Sequence, residues 1–249
     1  MFKEHECFRS PNNLDVKIWR YFDFIKYVSL LDRKALYFCR ADLLADHFEG
    51  SFPIENIKNR DELYNKMEVE LPTKNRMPLK DIPIRIRNYI YINSWHMNEY
   101  ESAAMWSIYS INEYGIAICS TYKRLCDSFK NFEEDVYIGK VIYIDYEKEM
   151  IPVDNALRPF LFKRKSYKYE KEIRAVLMKW QKVNDKFDLY YEPKSQGEYI
   201  DTDLPVLIEK VFVSPSSKHW FYELVKSITN LYGVDKEVVY SDLFKEALF

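Results

Sequence analysis

Short β-prone runs that alternate irregularly with helical stretches are the feature that most constrains the fold of this 249-residue chain. Runs rich in β-branched and aromatic residues predict strands at residues 35–39, 89–93, 115–119, 136–146, 173–178, 187–191, 206–213 and 238–240. Helical spacing predicts helices at residues 18–31 and 99–109, and a C-terminal helix that buries Trp220, Leu224, Ile228 and Leu231 before Gly233. Because the two types do not alternate regularly, the pattern predicts an α+β fold with a mixed or largely antiparallel central sheet and flanking helices.

The composition indicates one globular domain spanning residues 1–249. Hydrophobic residues make up 47% of the chain and charged residues 31%. A chain of this size and composition can bury a core without disulfides or metals. No stretch rich in Pro, Gly or Ser marks a linker, and the polar residues 55–82 are interpreted as an insertion or flap.

Charge and cysteine usage predict a cytoplasmic protein without a membrane partner. The net charge of −2 lacks the basic footprint of tight non-specific DNA binding. None of the four cysteines forms a C-x-x-C pair, which indicates reduced thiols. No apolar segment follows Met1 as a signal peptide would require, and no apolar run approaches transmembrane length.

The first polar segment runs from residue 40 to residue 50. Arg40 follows a predicted strand, where its guanidinium could hold a phosphate or a carboxylate. Asp42, Asp46 and Glu49 have helical spacing and could share one helix face. The alternative is a solvated acidic face that begins with a helix cap.

Two further polar segments follow later in the chain. Ser94 and His96 come at the end of a predicted strand and could present polar groups to a cleft, although a lone His is more often structural. In the third segment, Glu170, Glu172 and Arg174 would point to one face of a strand. Like charges raise a carboxylate pKa and Arg174 lowers it, so such a pair suits acid–base work or stabilisation of positive charge. The alternative is an exposed, salt-bridged strand face.

Glycine-rich phosphate-binding motifs are absent from the sequence. It contains no Walker A loop, no Rossmann fingerprint and no Gly-x-Ser-x-Gly elbow, and only 5 glycines in total. Phosphate binding would therefore rely on side chains such as Arg40, Lys163 and Arg174. The sequence also lacks His-Glu-x-x-His and spaced Cys/His sets, so no metal is expected.

The same three segments resemble a bacterial family known as domain of unknown function 2971. The matching stretches are residues 36–42, 46–50, 94–95, 101–106 with Tyr109, 115–118, 169–174 and 211–215. This resemblance implies a small bacterial cytosolic protein, of a kind that in some members is linked to toxin or phage-defence loci.

A looser resemblance is to ADP-ribosyltransferases of the Arg-Ser-Glu type, whose order is matched by Arg40, Ser94 and the Glu-Lys-Glu at residues 170–172. Ser94 is followed by Trp95 rather than by the Ser-Thr-Ser of that family. The resemblance implies an NAD-dependent transferase acting on a protein or nucleic-acid target. Its implied catalytic residues are Glu172, Glu170 and Ser94, and its implied cofactor-binding residues are Arg40, Trp95, His96, Tyr109 and Arg174.

Two alternatives remain open from the sequence. In a metal-dependent nuclease, Asp42, Asp46 and Glu49 would hold a divalent ion together with Glu170 or Glu172. In a non-enzymatic binding or sensor module, the charged segments would only brace the fold.

Overall fold

The structure is a computed structural model that describes residues 1–60, 81–109, 113–180, 182–183, 186–187 and 191–245. Its strands are β1 (Lys17–Asp23), β2 (Ala35–Arg40), β3 (Ile90–Met97), β4 (Gly115–Thr121), β5 (Val136–Lys140), β6 (Ile142–Ile144), β7 (Phe162–Arg164), β8 (Glu172–Met178), β9 (Lys182–Val183), β10 (Lys186–Phe187), β11 (Gly197–Asp201), β12 (Lys210–Val213) and β13 (Val238–Tyr240). The α-helices are α1 (Phe24–Arg33), Ile82–Ile86, Ala103–Tyr109, Tyr122–Asp127, Leu204–Leu207 and His219–Leu231, and residues 54–60 are also helical.

One large sheet organises these elements. Seven of its strands follow the order β11-β2-β3-β1-β4-β12-β13, and β8 pairs with both β3 and β5. Its pairs are antiparallel except for β12 with β13, which are parallel. The α+β prediction, with a mixed and mostly antiparallel central sheet flanked by helices, is confirmed.

The sheet is split beside the middle of β3. One edge of β3 pairs with β8 along its length. The other edge is shared by two strands: β2 pairs at its beginning, with Cys39 opposite Ile92, and β1 pairs at its end, with Trp19 opposite His96. Strands β2 and β1 therefore diverge and leave a gap beside residues 93–95.

Side chains replace the backbone hydrogen bonds that this gap removes. Asn93 donates from Nδ2 to the carbonyl of Tyr37 at 2.8 Å, and Trp95 holds the Asn93 amide by donating from Nε1 to its Oδ1 at 2.8 Å. On the other side, Arg20 donates from Nη1 to the carbonyl of Ser94 at 2.6 Å. Buried backbone carbonyls need such partners, so these side chains stabilise the open form of the sheet.

The two faces of the sheet differ in polarity. Alternation along β8 sends Ile173, Ala175 and Leu177 into the main apolar core. On the opposite face, smaller apolar clusters gather around Phe160 and around Trp106. Polar side chains of β3 and β8 occupy this second face, so the sheet presents them opposite the main core.

Several predicted elements differ from the observed ones. Residues 18–31 are not one helix: β1 occupies the first part, and α1 begins only after Asp23, whose side chain accepts from the backbone N–H of Lys26. Residues 136–146 form two strands, β5 and β6, which belong to different sheets. Residues 206–213 begin in the short helix Leu204–Leu207, capped by Asp203, before β12 starts. In each case, strand pairing or helix capping overrides the secondary structure that the local spacing of apolar residues predicts.

The predicted buried face of the C-terminal helix is wrong for Trp220, Leu224 and Leu231, whereas Ile228 is partly buried against the main core. Phe221, Val225 and Thr229 are the buried residues of His219–Leu231. Trp220 is 52% exposed and Leu231 is 79% exposed. The helix packs with the stripe one residue further along, and Gly233 follows its end with a φ of 72°.

Only part of the predicted flap at residues 55–82 can be compared, because residues 61–80 lie outside the described residues. In the described ranges, no helix is both long enough and apolar enough to span a membrane.

Candidate functional site

A cavity of about 690 Å³ lies along the split in the sheet. All three polar segments contribute to its wall. Its polar lining includes Asp46, Glu49, Ser94, His96, Lys163, Glu170, Glu172 and Arg174. A volume of this size falls within the range of small-molecule sites.

Arg174 is the centre of the polar cluster and is 1% exposed. Its Nη1 and Nη2 each donate to Glu49 at 2.6 Å. Its Nε and Nη2 each donate to Glu172 at 3.0 Å, and Nη1 also donates to the carbonyl of Phe160 at 2.7 Å. All five donors of the guanidinium are thus used within the protein. Arg174 therefore orients Glu172 and has no donor left for a ligand in this arrangement.

Glu172 is held as a carboxylate in spite of its burial. Burial alone would raise its pKa, but the charges of Arg174 and Lys163 outweigh burial and lower the pKa to about 2. The Ser94 hydroxyl adds a further lowering contribution, and the Glu172 backbone N–H donates to the Tyr143 hydroxyl at 2.8 Å. A fixed negative charge is therefore presented at the cavity wall.

Glu170 also lines the cavity, although it lies before the start of β8. It ends the turn Lys165–Glu170, and Lys171 follows in the left-handed region with a φ of 41°. The Nζ of Lys163 donates to Glu170 at 2.6 Å and lies 3.4 Å from Glu172. Burial raises the pKa of Glu170 although Lys163 opposes it. The surroundings thus shift the pKa values of the two carboxylates in opposite directions, which is typical of sites that use carboxylates in different roles.

His96 presents a hydrogen-bond acceptor. Its Nδ1 lies 2.6 Å from the carbonyl of Glu170, which can only accept, so Nδ1 carries the proton and Nε2 carries a lone pair. Burial lowers the pKa of His96, which keeps the ring neutral at pH 7. Within the described residues, Nε2 is buried and has no hydrogen-bond partner.

Arg20 is the site residue that sequence reasoning missed. It lies on β1 and lines the cavity. Its Nη1 donates to the carbonyl of Ser94; within the described ranges, its other nitrogens make no hydrogen bond and it forms no salt bridge. Burial lowers its pKa to about 10, so it remains charged at pH 7. A lone charged residue in the apolar run Ile-Trp-Arg-Tyr-Phe at residues 18–22 is the sequence signal that could have found it.

Arg40, the arginine predicted to hold phosphate, is not brought together with the others. It pairs with Asp42 through Nε at 2.6 Å, and its Nη1 donates to the carbonyls of Pro193 and Ser195 at 2.6 and 2.8 Å. It is absent from the cavity lining. The predicted helix face of this segment is wrong as well, because only a three-residue turn, Ala41–Leu43, forms there. Asp42 stays with Arg40 outside the cavity.

The aromatic residues of the prediction occupy different environments. Tyr109 lines the cavity, and its pKa is raised by burial and by Glu170 and Glu172. Trp95 also borders the cavity but is 2% exposed and packs in the main core. Tyr109 is therefore the better placed of the two to contact a ligand.

The described acidic residues of the cavity wall pair with basic side chains. No cluster of three or more His, Cys, Asp or Glu side chains suited to a metal occurs in the part of the chain that the structure describes. Asp46 pairs with Arg164 at 2.9 Å, and Glu49 and Glu172 pair with Arg174. Because basic side chains already neutralise these carboxylates, the arrangement does not favour the nuclease alternative.

Acid unfolding tests the environment of Glu172. Its depressed pKa means that ionised Glu172 stabilises the fold above its ordinary value of 4.5, and that this stabilisation is lost as the pH falls from 4.5 toward about 2. We expect the free energy of unfolding to fall more steeply over this window in the wild type than in Glu172→Gln. Urea unfolding at about pH 5, 4 and 3 measures both slopes. Glu209→Gln, at an ion pair outside the cavity, should follow the wild type; equal slopes in the wild type and Glu172→Gln would contradict the assignment.

Comparison with known proteins adds little to this geometry. No model of a protein family matches the chain, so its resemblance to domain of unknown function 2971 stays a prediction. No curated protein matches it either. Among solved structures, the chain is similar to DarT from Thermus sp. 2.9, solved in complex with ADP-ribosylated ssDNA. The identity is 9% and the TM-score 0.40, over 94% of this chain and 97% of that chain. A likeness of this size does not fix an activity.

Proposed function

We propose that the cavity is the active site of an ADP-ribosyltransferase-like enzyme that uses NAD. One observation carries the proposal: an ionised carboxylate, Glu172, and an arginine that has no carboxylate partner among the described residues, Arg20, line the same cavity. Such a pair offers one site for developing positive charge and another for an anion. A phosphate-bearing nucleotide whose sugar becomes cationic during reaction matches both sites.

The residues present fit a dinucleotide. Arg20 offers guanidinium donors that make no hydrogen bond to the described residues, and such donors suit a phosphate. Nε2 of His96 and Oδ2 of Asp46 have no hydrogen-bond partner in the part of the chain that the structure describes, and both are acceptors, which suit ribose hydroxyl groups. Tyr109 adds an aromatic surface at the wall. When bound, NAD would supply a nicotinamide–ribose bond whose cleavage builds positive charge on the sugar.

Glu172, Ser94 and Glu170 would have different roles in the reaction. Glu172 would stabilise the positive charge on the ribose, because Arg174 and Lys163 keep it ionised and fix its orientation. Ser94 would orient the ribose together with Glu172. Glu170, whose raised pKa brings it closer to neutral pH, would be suited to take a proton from the acceptor.

The proposal differs from the sequence prediction in its phosphate-binding residue. Arg20 replaces Arg40 in that role, because Arg40 uses its donors on Asp42 and on the carbonyls of Pro193 and Ser195. The acceptor would be a macromolecule, protein or nucleic acid, in a bacterial cytosol, and a toxin or phage-defence setting remains part of the proposal.

Release of nicotinamide tests this function. Purified protein incubated with NAD and a cell extract should release nicotinamide above a protein-free control. Radiolabel carried on the adenylate half of NAD should be retained in a macromolecular fraction, and digestion with protease or with nuclease should identify which one. Absence of both nicotinamide release and label transfer, with folded protein, would contradict the proposal.

A further inference from the structure

We propose that Tyr37 and Tyr199 form a stacking platform for a nucleobase at the outer end of the cavity. This inference rests on the proposed function and adds a second ligand contact to the same site. Both tyrosines line the cavity, together with Lys26 and Ser29 of α1. Tyr37 is 37% exposed and Tyr199 is 43% exposed, so both rings keep open surface there.

One side of the Tyr37 ring lies against the backbone of β11 at Gly197. Gly197 of β11 lies opposite Cys39 in the register of β11 and β2, next to the ring. A Cβ at residue 197 would overlap Cζ and the hydroxyl oxygen of Tyr37, and also the carbonyl oxygen of Phe38. The ring therefore lies directly on the β11 backbone, which only glycine permits at this position. Its remaining surface borders the cavity.

Tyr199 forms the side wall of the platform. Its ring lies 5.1 Å from that of Tyr37, tilted by 59°. The guanidinium of Arg33 lies over the Tyr199 ring at 4.5 Å, and the Tyr199 hydroxyl is 3.1 Å from the Ser29 hydroxyl. Tyr199 is thus held on two sides, and a cation stands beside it. Aromatic rings flanked by basic side chains are the usual means of holding a base next to its phosphate.

The register places this platform across the split from the polar cluster around Arg174. Cys39 pairs with Ile92, and two residues further along the same strands are Tyr37 and Ser94. The strands have diverged there, so Tyr37 faces Ser94 across the gap instead of pairing with it. A ligand whose ribose lies at Ser94 can therefore extend along the cavity toward Tyr37.

The ligand group that fits the platform is a nucleobase, which can come from two sources. It can be the adenine of the dinucleotide or a base of a nucleic-acid acceptor. Both stack on an aromatic face in the same way. ADP-ribose and a short single-stranded oligonucleotide serve as probes for the two sources.

Binding measurements on the full chain test the platform. Tyr37→Ala should weaken binding of one probe by about 10-fold, measured by calorimetry for ADP-ribose and by fluorescence anisotropy for the oligonucleotide. Gly197→Ala should also weaken it, because the added Cβ would overlap both the Tyr37 ring and the carbonyl oxygen of Phe38, so that the ring and the β11 backbone must shift. Tyr37→Phe should retain most of the binding. Tyr100→Ala, at an exposed tyrosine outside the cavity lining, is the matched control and should bind as the wild type does.

The outcomes separate this inference from the proposed function. Loss of ADP-ribose affinity identifies adenine as the occupant, and loss of oligonucleotide affinity identifies a base of the acceptor. If a probe binds the wild type and Tyr37→Ala with the same affinity, and the two proteins have the same melting temperature, the platform is overturned. The proposed function then still stands. Binding of neither probe to the wild type overturns both.

Discussion

Glu172→Gln should reduce nicotinamide release from NAD by about 10²- to 10³-fold, the loss expected when a preorganised electrostatic contact to a transition state is removed. Glutamine has nearly the shape of glutamate but carries no charge. Affinity for ADP-ribose, which no longer carries the bond that is broken, should change far less. Nicotinamide release and calorimetric titration of ADP-ribose measure the two effects separately.

The variant should remain folded. Arg174 keeps its two hydrogen bonds to Glu49 and its bond to the carbonyl of Phe160, so removing the Glu172 charge does not leave the buried guanidinium unpaired. Glu209→Gln, which alters a pair with Lys17 outside the cavity, is the matched control and should retain wild-type turnover. Full turnover in folded Glu172→Gln would remove Glu172 from the chemistry.

Arg20→Ala should weaken ADP-ribose binding by roughly 10- to 100-fold, because a hydrogen bond from a charged donor contributes about 1.5–3 kcal/mol. Arg20→Lys should have an intermediate effect, since lysine keeps the charge but cannot reproduce the planar fork. Calorimetric titration of each variant measures the dissociation constant.

Arg40→Ala is the matched control for this prediction. Arg40 lies outside the cavity lining and pairs with Asp42, so its removal should leave ADP-ribose affinity within about two-fold of the wild type. Weak binding by Arg40→Ala together with normal binding by Arg20→Ala would reverse the assignment and restore the sequence prediction.

The polar side chains that line the cavity could be selected largely from the sequence. The sequence predicts site roles for Ser94, His96, Glu170 and Glu172, because charged and hydroxyl residues next to apolar strands are displayed on a rigid scaffold. They line one cavity, although Ser94 lies within β3 rather than at its end. Their individual roles stay predictions.

The failure to select Arg20 has a physical origin. Ile18, Phe22 and Ile25 have spacing close to that of a helix, which predicts one helix over residues 18–31 in which Arg20 has no special place. The strand forms because β1 pairs with β4 over its full length and with β3 at one end. Such long-range pairing overrides local spacing.

The split in the sheet could not be predicted from local patterns either. It depends on β2 and β1 both pairing with the same edge of β3, and on Asn93 and Arg20 supplying the bonds that the gap removes. Asn93 is not unusual in its local sequence, and the isolated charge of Arg20 in the run Ile-Trp-Arg-Tyr-Phe does not indicate which strands it lies between. The cavity is thus a property of sheet topology, whereas the chemistry of its wall is visible in the sequence.

A crystal structure of Glu172→Gln with bound NAD would test the central claim most directly, because the variant should bind NAD without consuming it. We expect density in the cavity of the split sheet, with a phosphate against the guanidinium of Arg20 and a ribose beside residue 172 and Ser94. NAD bound at Arg40 or on another surface, or a cavity without density at a concentration that saturates binding in solution, would contradict the claim.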